Sequence, residues 1–331
     1  MDTPYRIFGS EMSPYSVKVR SYFRYKRIPH EWIVRSAANM EEYRRWAKLP
    51  LIPVVVTPDG KALQDSTPIL EQLETVHPEP PIHPADPTLA FLSALLEEYG
   101  DEWGNKPMFH YRWWADVDQQ SAAARIARDM LGDGDRAALE ATAAQVRERM
   151  VPRLSFVGSS PTTRPTIEAS FERQVAILER HLASRPYLFG ECPAFGDFGV
   201  FAQLYECSTD PTPRAHLDAT APRVLAWIAR MLDPMAEGTF EPWDSLAPTL
   251  QPLLADEVGA LFLPWSDANA RAVAAGEKQL TTTLAGRPWT QEAQKYHAKS
   301  LAALRARYAA VTDRMHLDPI LRDTGCLRWL Q

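Results

Sequence analysis

A proline-dense segment, residues 77–84, divides this chain into two parts with different patterns. Four of its eight residues are proline, which neither continues a helix nor donates a hydrogen bond in a sheet, so we expect a semi-rigid linker. Before the segment, short apolar strand signals alternate with helix signals, and beyond it strand signals nearly vanish. The sequence therefore predicts a small α/β domain followed by a large all-α domain.

The first part of the chain predicts the element order β-α-β-α-β-β-α. Strands are expected at residues 5–8, 31–34, 52–57 and 61–63, and helices are expected to begin near Pro14, Asn39 and Ser66. The first βαβ unit should be parallel and right-handed. The turn Pro58-Asp59-Gly60 joins the last two strands into a hairpin, which adds an antiparallel edge to the sheet.

Three positions in this part are candidates for a binding or catalytic site. Ser13 precedes Pro14 at a helix start, where free N–H groups and the helix dipole stabilise an anion such as a thiolate. The alternative is that Ser13 only caps the helix. Ile52-Pro53 opens a strand with a proline, and Asp65-Ser66 stands at another helix start, where it either caps the helix or holds a carboxylate.

The order of these features resembles the glutathione S-transferase family. The resemblance implies a thioredoxin-like glutathione-binding domain over residues 1–82 and a linker over 83–90. It further implies the family's helical domain over 91–331, with an insertion near 115–165 and an extension after about 235. In that domain Ala194 stands at the usual Ser or Thr cap of a core helix, and Asp197 is expected to be structural.

The resemblance also implies roles for individual residues. Ser13 matches the serine that hydrogen-bonds the glutathione sulfur in the serine-type classes, and Ser16 matches the second position of the active-site tetrad. Both are therefore expected to be catalytic. The implied glutathione-binding residues are Ile52, whose backbone would pair with the cysteinyl group, the cis-proline Pro53, and the pair that would hold the γ-glutamyl end, Asp65 and Ser66.

Several departures from the family pattern bear on the reaction. Lys48-Leu49-Pro50-Leu51 replaces the usual Asn-Pro-x-Gly before the cis-proline, and Phe8 stands where tyrosine-type classes keep a catalytic tyrosine. The tetrad has serine where redox relatives have cysteine, which disfavours dithiol chemistry. The preferred hypothesis is an enzyme that uses the glutathione thiolate to attack a hydrophobic electrophile. The alternatives are a non-catalytic binding or scaffold module and a glutathione-dependent lyase or reductase.

The aromatic-rich segment 97–114 is the candidate binding surface for the second substrate. Glu98, Trp103, Trp113 and Trp114 are predicted to contact the electrophile, with the aromatic rings forming an apolar wall. The alternative is that these rings belong to the core. Glu98, Glu102 and His110 do not form a persuasive ligand set, so no metal is expected.

Charge, hydropathy and cysteine count disfavour other classes of protein. The formal net charge of −6 argues against a nucleic-acid binder, and no apolar window reaches the roughly 18 residues of a membrane span. The three cysteines are widely spaced and are expected to be reduced thiols in a cytoplasmic protein. The expected partners are glutathione as co-substrate, a small hydrophobic electrophile, and a second copy of the chain in a homodimer.

Overall fold

The α/β domain predicted for the first part of the chain is present in the computed structural model, which describes residues 3–331. Its elements are β1 (Tyr5–Gly9), α1 (Pro14–Tyr25), β2 (His30–Val34), α2 (Met40–Trp46), β3 (Val54–Val56), β4 (Ala62–Gln64) and α3 (Ser66–Val76). The four strands form one sheet in the order β2-β1-β3-β4. As expected, β1 and β2 are parallel, while β3 runs antiparallel to both β1 and β4.

The register of the sheet determines which loops become neighbours. Phe8 of β1 is paired with Val54 of β3, and Val54 is also paired with Gln64 of β4. Because these strands alternate in direction, the end of β1, the start of β3 and the end of β4 lie at the same edge of the sheet. The loop that leads to α1, the segment that enters β3 and the start of α3 therefore meet there.

The second domain is mostly helical and begins after a connection over residues 77–86. Its first helices are α4 (Pro87–Tyr99), a π-helical turn (Gly100–Gly104), α5 (Asn105–Trp114), α6 (Asp116–Leu131), α7 (Arg136–Met150), a 3₁₀ segment (Val151–Val157), α8 (Arg164–His181), α9 (Phe195–Thr209), α10 (Pro211–Thr220) and α11 (Pro222–Met231). The remainder comprises α12 (Trp243–Leu253), a π-helical segment (Leu254–Phe262), α13 (Leu263–Ala274), α14 (Lys295–Ala310), α15 (Leu317–Asp323) and α16 (Leu327–Leu330). None of the helices within residues 3–331 combines the length and apolar character that a bilayer crossing requires.

A β-hairpin in the last part of the chain departs from the all-α domain that the sequence analysis predicted. Its antiparallel strands are β5 (Gln279–Leu284) and β6 (Arg287–Glu292). The turn residues Ala285 and Gly286 have φ values of 47° and 77°. Both lie in the left-handed region that two-residue hairpins require, but Ala-Gly is a weaker sequence signal for such a turn than Asn-Gly.

Helix α9 is the centre of the helical core and packs against α4 and α1. The close approach to α4 depends on paired glycines, because a Cβ added at Gly100 would lie 2.5 Å from the carbonyl carbon of Gly199. A side chain at this crossing would push the helices apart. The two domains consequently share one continuous apolar core.

Asp197 stabilises the first turn of α9. Its fully buried carboxylate accepts hydrogen bonds from the N–H groups of Leu188 and Ala194, at 2.8 and 2.9 Å, and from the indole N–H of Trp227 at 3.1 Å. Ala194 has no side chain that can cap the helix, so Asp197 joins the helix start to two other segments. This arrangement matches the structural role expected from the sequence.

We predict that Asp197→Ala lowers the free energy of unfolding by about 3 kcal/mol or more, because three buried donors lose their acceptor. The measurement is urea denaturation followed by circular dichroism. The control is Asp218→Ala, which removes an exposed ion pair with Arg214 and should cost less than about 1 kcal/mol. Equal losses in the two variants would contradict the structural role of Asp197.

Candidate active site

Ser13 is the N-cap of α1, as the Ser13-Pro14 pair predicts. Its backbone is extended, and its Oγ accepts a hydrogen bond from the N–H of Ser16 at 3.3 Å. The hydroxyl hydrogen stays available as a donor because Oγ acts as the acceptor in this bond. Ser13 is half-buried, so a ligand at the sheet edge can reach it. The geometry thus combines a helix cap with a site that suits an anion.

Arg112 of α5 holds the loop that leads to Ser13. The guanidinium is almost fully buried and donates to the carbonyl oxygen of Met12 at 3.0 Å. Its other nitrogens bond the carboxylates of Glu206 at 2.6 Å and Asp210 at 2.8 Å. The helical domain therefore positions the backbone immediately before Ser13. The sequence analysis assigned Arg112 no role, because its partners lie in distant segments.

The Ile52–Pro53 peptide bond is cis, which is the geometry that the family resemblance implies. The ladders of the sheet begin at Val54, so the backbone of Ile52 lies outside both strand pairings. The altered segment 48–51 is held by Gln64, whose amide bonds the N–H groups of two of its residues and the carbonyl groups of Leu49 and Leu51. This network fixes the approach to Pro53 without the usual family motif.

Asp65 and Ser66 lie at the start of α3, at the same edge of the sheet. Asp65 has a φ of 83°, and its side chain does not cap the helix. Its Oδ2 instead accepts a hydrogen bond from the Tyr296 hydroxyl of α14 at 3.4 Å. Ser66 is buried and donates to Oδ2 of Asp101 at 3.3 Å. Residues of the helical domain therefore contact both members of the pair.

A buried ion pair network next to Ser66 joins α1 to the helical domain. The Lys18 ammonium is fully buried and bonds Asp101 at 2.7 Å, Thr67 Oγ1 at 3.1 Å and the carboxylate of Glu97. Burial alone lowers the pKa of Lys18, but the adjacent carboxylates of Asp101 and Glu97 raise it above its ordinary value. Lys18 is therefore charged at neutral pH.

Three other sequence-predicted residues lie away from the surface. Ser16 is fully buried, and its Oγ makes no hydrogen bond within residues 3–331. Trp103 and Trp113 are each 1% exposed and belong to the core, which is one of the two alternatives considered for them. None of these three presents a surface to a ligand in this conformation. Trp114 is half-buried and packs on the His110 ring.

Glu98, the remaining candidate, lines a cavity of about 400 Å³ between α3, the π-helical turn and α14. Asp65 lines the same cavity, so the structure brings Glu98 to the site that contains Asp65 and Ser66. Residues of α14, including Tyr296 and Lys299, form the opposite wall.

A buried lysine lies among three tryptophans of the helical core. The Nζ of Lys106 is 3.5 Å from the centre of the Trp265 ring, and the rings of Trp103 and Trp289 lie within 6 Å. This nitrogen makes no hydrogen bond to any other part of the chain that the structure describes. Burial lowers the pKa of Lys106 to about 7, although Glu102 partly opposes the shift.

We predict that Lys106→Met stabilises the protein by a few kcal/mol at pH 7, since methionine has no charge to desolvate. In the unfolded chain this lysine keeps its proton up to a pKa of about 10.5, whereas in the fold it does so only up to about 7. The gain should therefore be largest at pH 7 and below, and it should shrink as the pH rises towards 10.5.

Thermal unfolding at several pH values measures this gain, with the exposed Lys278→Met as the control. A Lys106→Met variant that is less stable than the wild type at every pH would show that the cation–π contacts outweigh the cost of burial.

Family comparisons agree with the order of elements. A family model described as the glutathione S-transferase N-terminal domain matches residues 12–76, and one described as the C-terminal domain of the same family matches residues 123–230. Together these matches cover more than half of the chain. The chain therefore belongs to the glutathione S-transferase family.

Solved structures of the same family are similar at low identity. A glutathione S-transferase from Methylobacterium radiotolerans, in complex with glutathione sulfonate, is 22% identical over 72% of this chain and 99% of its own, with a TM-score of 0.44. One from Methylobacillus flagellatus, with glutathione bound, is 23% identical over 70% and 95%, with a TM-score of 0.41. A β-etherase from Sphingobium is 18% identical over 69% and 95%, with a TM-score of 0.48. No curated protein sequence gave a significant match.

Proposed function

We propose that this protein is a glutathione-dependent transferase. It binds glutathione on the α/β domain, holds the thiolate at the N-terminus of α1, and uses it to attack a hydrophobic electrophile. The observation that supports this most directly is the sheet register, which brings Ser13, Ile52-Pro53 and Asp65-Ser66 to one edge. In a member of this family, these residues match three separate parts of the glutathione site.

Ser13 would activate the sulfur by hydrogen bonding and by its position. Its hydroxyl donates to the thiolate, and the N-terminal end of α1 stabilises the negative charge. Lowering the thiol pKa by about two units would require about 2.7 kcal/mol of preferential stabilisation. The thiol proton leaves to solvent, the sulfur forms a bond to the electrophilic carbon, and the leaving group departs with its electron pair.

The remaining residues would hold the peptide part of glutathione. The backbone of Ile52, free of the sheet ladders, would pair with the cysteinyl group, next to Pro53. Asp65 and Ser66 would hold the γ-glutamyl end. Because glutathione would be held at three points, its thiolate has less translational and rotational freedom to lose when the transition state forms.

Apolar surface beside this edge supports a hydrophobic second substrate. Leu49 and Leu51 are 58% and 59% exposed in the segment that leads to Ile52. Trp114 is half-buried on the helical domain and stays the aromatic candidate for contact with the electrophile. Substitution and β-ether cleavage both break a bond to an electrophilic carbon, so both fit this step, and they differ in the second substrate.

A non-catalytic binding module is the second candidate function. Two observations favour it: Ser13 already caps α1, and Asp65 already accepts a hydrogen bond from Tyr296. Such a module would hold glutathione, or a related thiol, without lowering its pKa.

We predict that Ser13→Ala raises the thiol pKa of bound glutathione by about one unit or more, because the sulfur loses a donor. The ultraviolet absorbance of the thiolate, followed over pH, measures the shift. Ser13→Thr keeps the hydroxyl and should retain most of the activation. An unchanged thiolate signal in Ser13→Ala would refute the role of Ser13, and no binding at millimolar glutathione would refute the transferase proposal.

The proposal includes a homodimer, which is the family expectation. Light scattering on the purified chain should give twice the mass of one chain. A mass of one chain would remove this part of the proposal and leave the glutathione site unaffected.

A further inference from the structure

A serine, a histidine and a glutamate form a hydrogen-bonded chain within the helical domain. The Oγ of Ser159 lies 2.7 Å from Nδ1 of His110, and Nε2 of the same ring lies 3.4 Å from Oε1 of Glu168. Ser159 belongs to the turn before α8, His110 to α5 and Glu168 to the second turn of α8. The side chains therefore stand in the order of nucleophile, base and carboxylate that acyl transfer through a serine requires.

The proton positions on His110 follow from its two partners. The carboxylate of Glu168 only accepts hydrogen bonds, so Nε2 carries the hydrogen of the neutral ring, and Nδ1 is left to accept the hydroxyl hydrogen of Ser159. The ring is fully buried, and burial lowers the pKa of His110 below its ordinary value, with Glu168 opposing the shift and Arg164 adding to it. His110 is therefore neutral at pH 7 and can act as a base.

Packing holds both the imidazole ring and the serine. The centre of the His110 ring lies 5.0 Å from that of Trp114. Gly158, which precedes Ser159, has a φ of 76°, and a Cβ added there would lie 2.6 Å from the ring of Trp289, so the turn requires glycine. The geometry of the three side chains is consequently fixed before a substrate binds.

A cavity of about 680 Å³ gives access to Ser159. It lies between the turn before α8 and the hairpin of β5 and β6, and the side chains that line it, Ser155, Ser159, Lys278 and Thr290 among them, are polar or small. Ser159 is 6% exposed, whereas the His110 ring behind it is fully buried. Helix α8 begins five residues after Ser159, and the positive end of its dipole would favour the negative oxygen of a tetrahedral intermediate.

We propose that Ser159, His110 and Glu168 form a second active site, which hydrolyses short-chain carboxylic esters. This activity uses no glutathione and does not rest on the proposed transferase function. The short chain follows from the cavity, because its polar and small lining offers little apolar surface to a long acyl group.

The reaction transfers the acyl group first to Ser159 and then to water. The Oγ of Ser159 forms a bond to the carbonyl carbon while its proton passes to Nδ1 of His110, and the leaving alcohol takes that proton as its bond to the acyl carbon breaks. A water molecule then attacks the acyl carbon and gives a proton to Nδ1, which returns it to Ser159 as the acid departs. Glu168 is a positioning residue, since it holds the ring without touching the substrate.

Labelling of the full chain with a fluorophosphonate tests the nucleophile. The phosphorus bonds to an activated serine oxygen and fluoride leaves, so mass spectrometry should show one phosphonyl group, and peptide mapping should place it on Ser159. Hydrolysis of p-nitrophenyl acetate, measured without glutathione, gives the turnover. Ser159→Ala should remove the label and slow ester hydrolysis by about a hundredfold or more.

The matched control for the nucleophile is Ser155→Ala. Ser155 lines the same cavity, but its hydroxyl donates to the carbonyl oxygen of Pro152 and makes no bond to His110. This variant should keep the label on Ser159 and the rate of ester hydrolysis of the wild type.

Glu168→Gln tests the positioning role. It should slow the labelling of Ser159 by about tenfold or more and lower kcat with KM for the ester unchanged, because a neutral amide does not stabilise the imidazolium that forms during attack. Its control is Glu172→Gln, an exposed position one helical turn further along α8, which should label at the rate of the wild type.

Either of two results would overturn the proposal. The first is a folded wild-type chain in which the fluorophosphonate leaves Ser159 unlabelled, and this measurement needs no variant. The second is ester hydrolysis that proceeds at the same rate in Ser159→Ala, with circular dichroism showing that the variant is folded. Both results would leave the glutathione site unaffected, since neither assay contains glutathione.

Discussion

The buried ammonium of Lys18 is the interaction on which the arrangement of the two domains depends. It belongs to α1 of the α/β domain, while its carboxylate partners Glu97 and Asp101 belong to the helical domain. A buried charge is tolerated only with a partner, so separating the domains would leave the Lys18 ammonium without its carboxylate partners. Because Ser13 caps α1 and Asp101 also contacts Ser66, one ion network orients both ends of the candidate site.

Much of the α/β domain could be predicted from the sequence, because its signals are local. Ser13 followed by Pro14 marks a helix start, and the order of strands and turns limits the sheet to few topologies. The register then brings the three candidate segments together without any long-range information beyond strand pairing. A helix start near Asn39 was also predicted correctly, but the side chain of Asn39 bonds Ser36 and Val34 rather than the first turn of α2.

The contacts that complete the site could not be predicted in this way. Arg112 bonds Met12 across 100 positions of sequence, and Tyr296 bonds Asp65 across 231. No local pattern encodes such pairs, since they follow from how the helices pack. The location of Trp103 and Trp113 also could not be predicted from the sequence. A core and an apolar substrate wall produce the same sequence pattern, and only the packing assigns Trp103 and Trp113 to the core.

The contact of α14 with α3 has a consequence for how the protein is made. Chains leave the ribosome from the N-terminus, and domains generally fold in that order. The α/β domain can therefore form early, yet Asp65 and Glu71 meet their partners Tyr296 and Arg307 only when nearly the whole chain has been synthesised. Until then, the start of α3 lacks its contacts with α14. An incomplete translation product that ends before α14 would lack both of these contacts at α3.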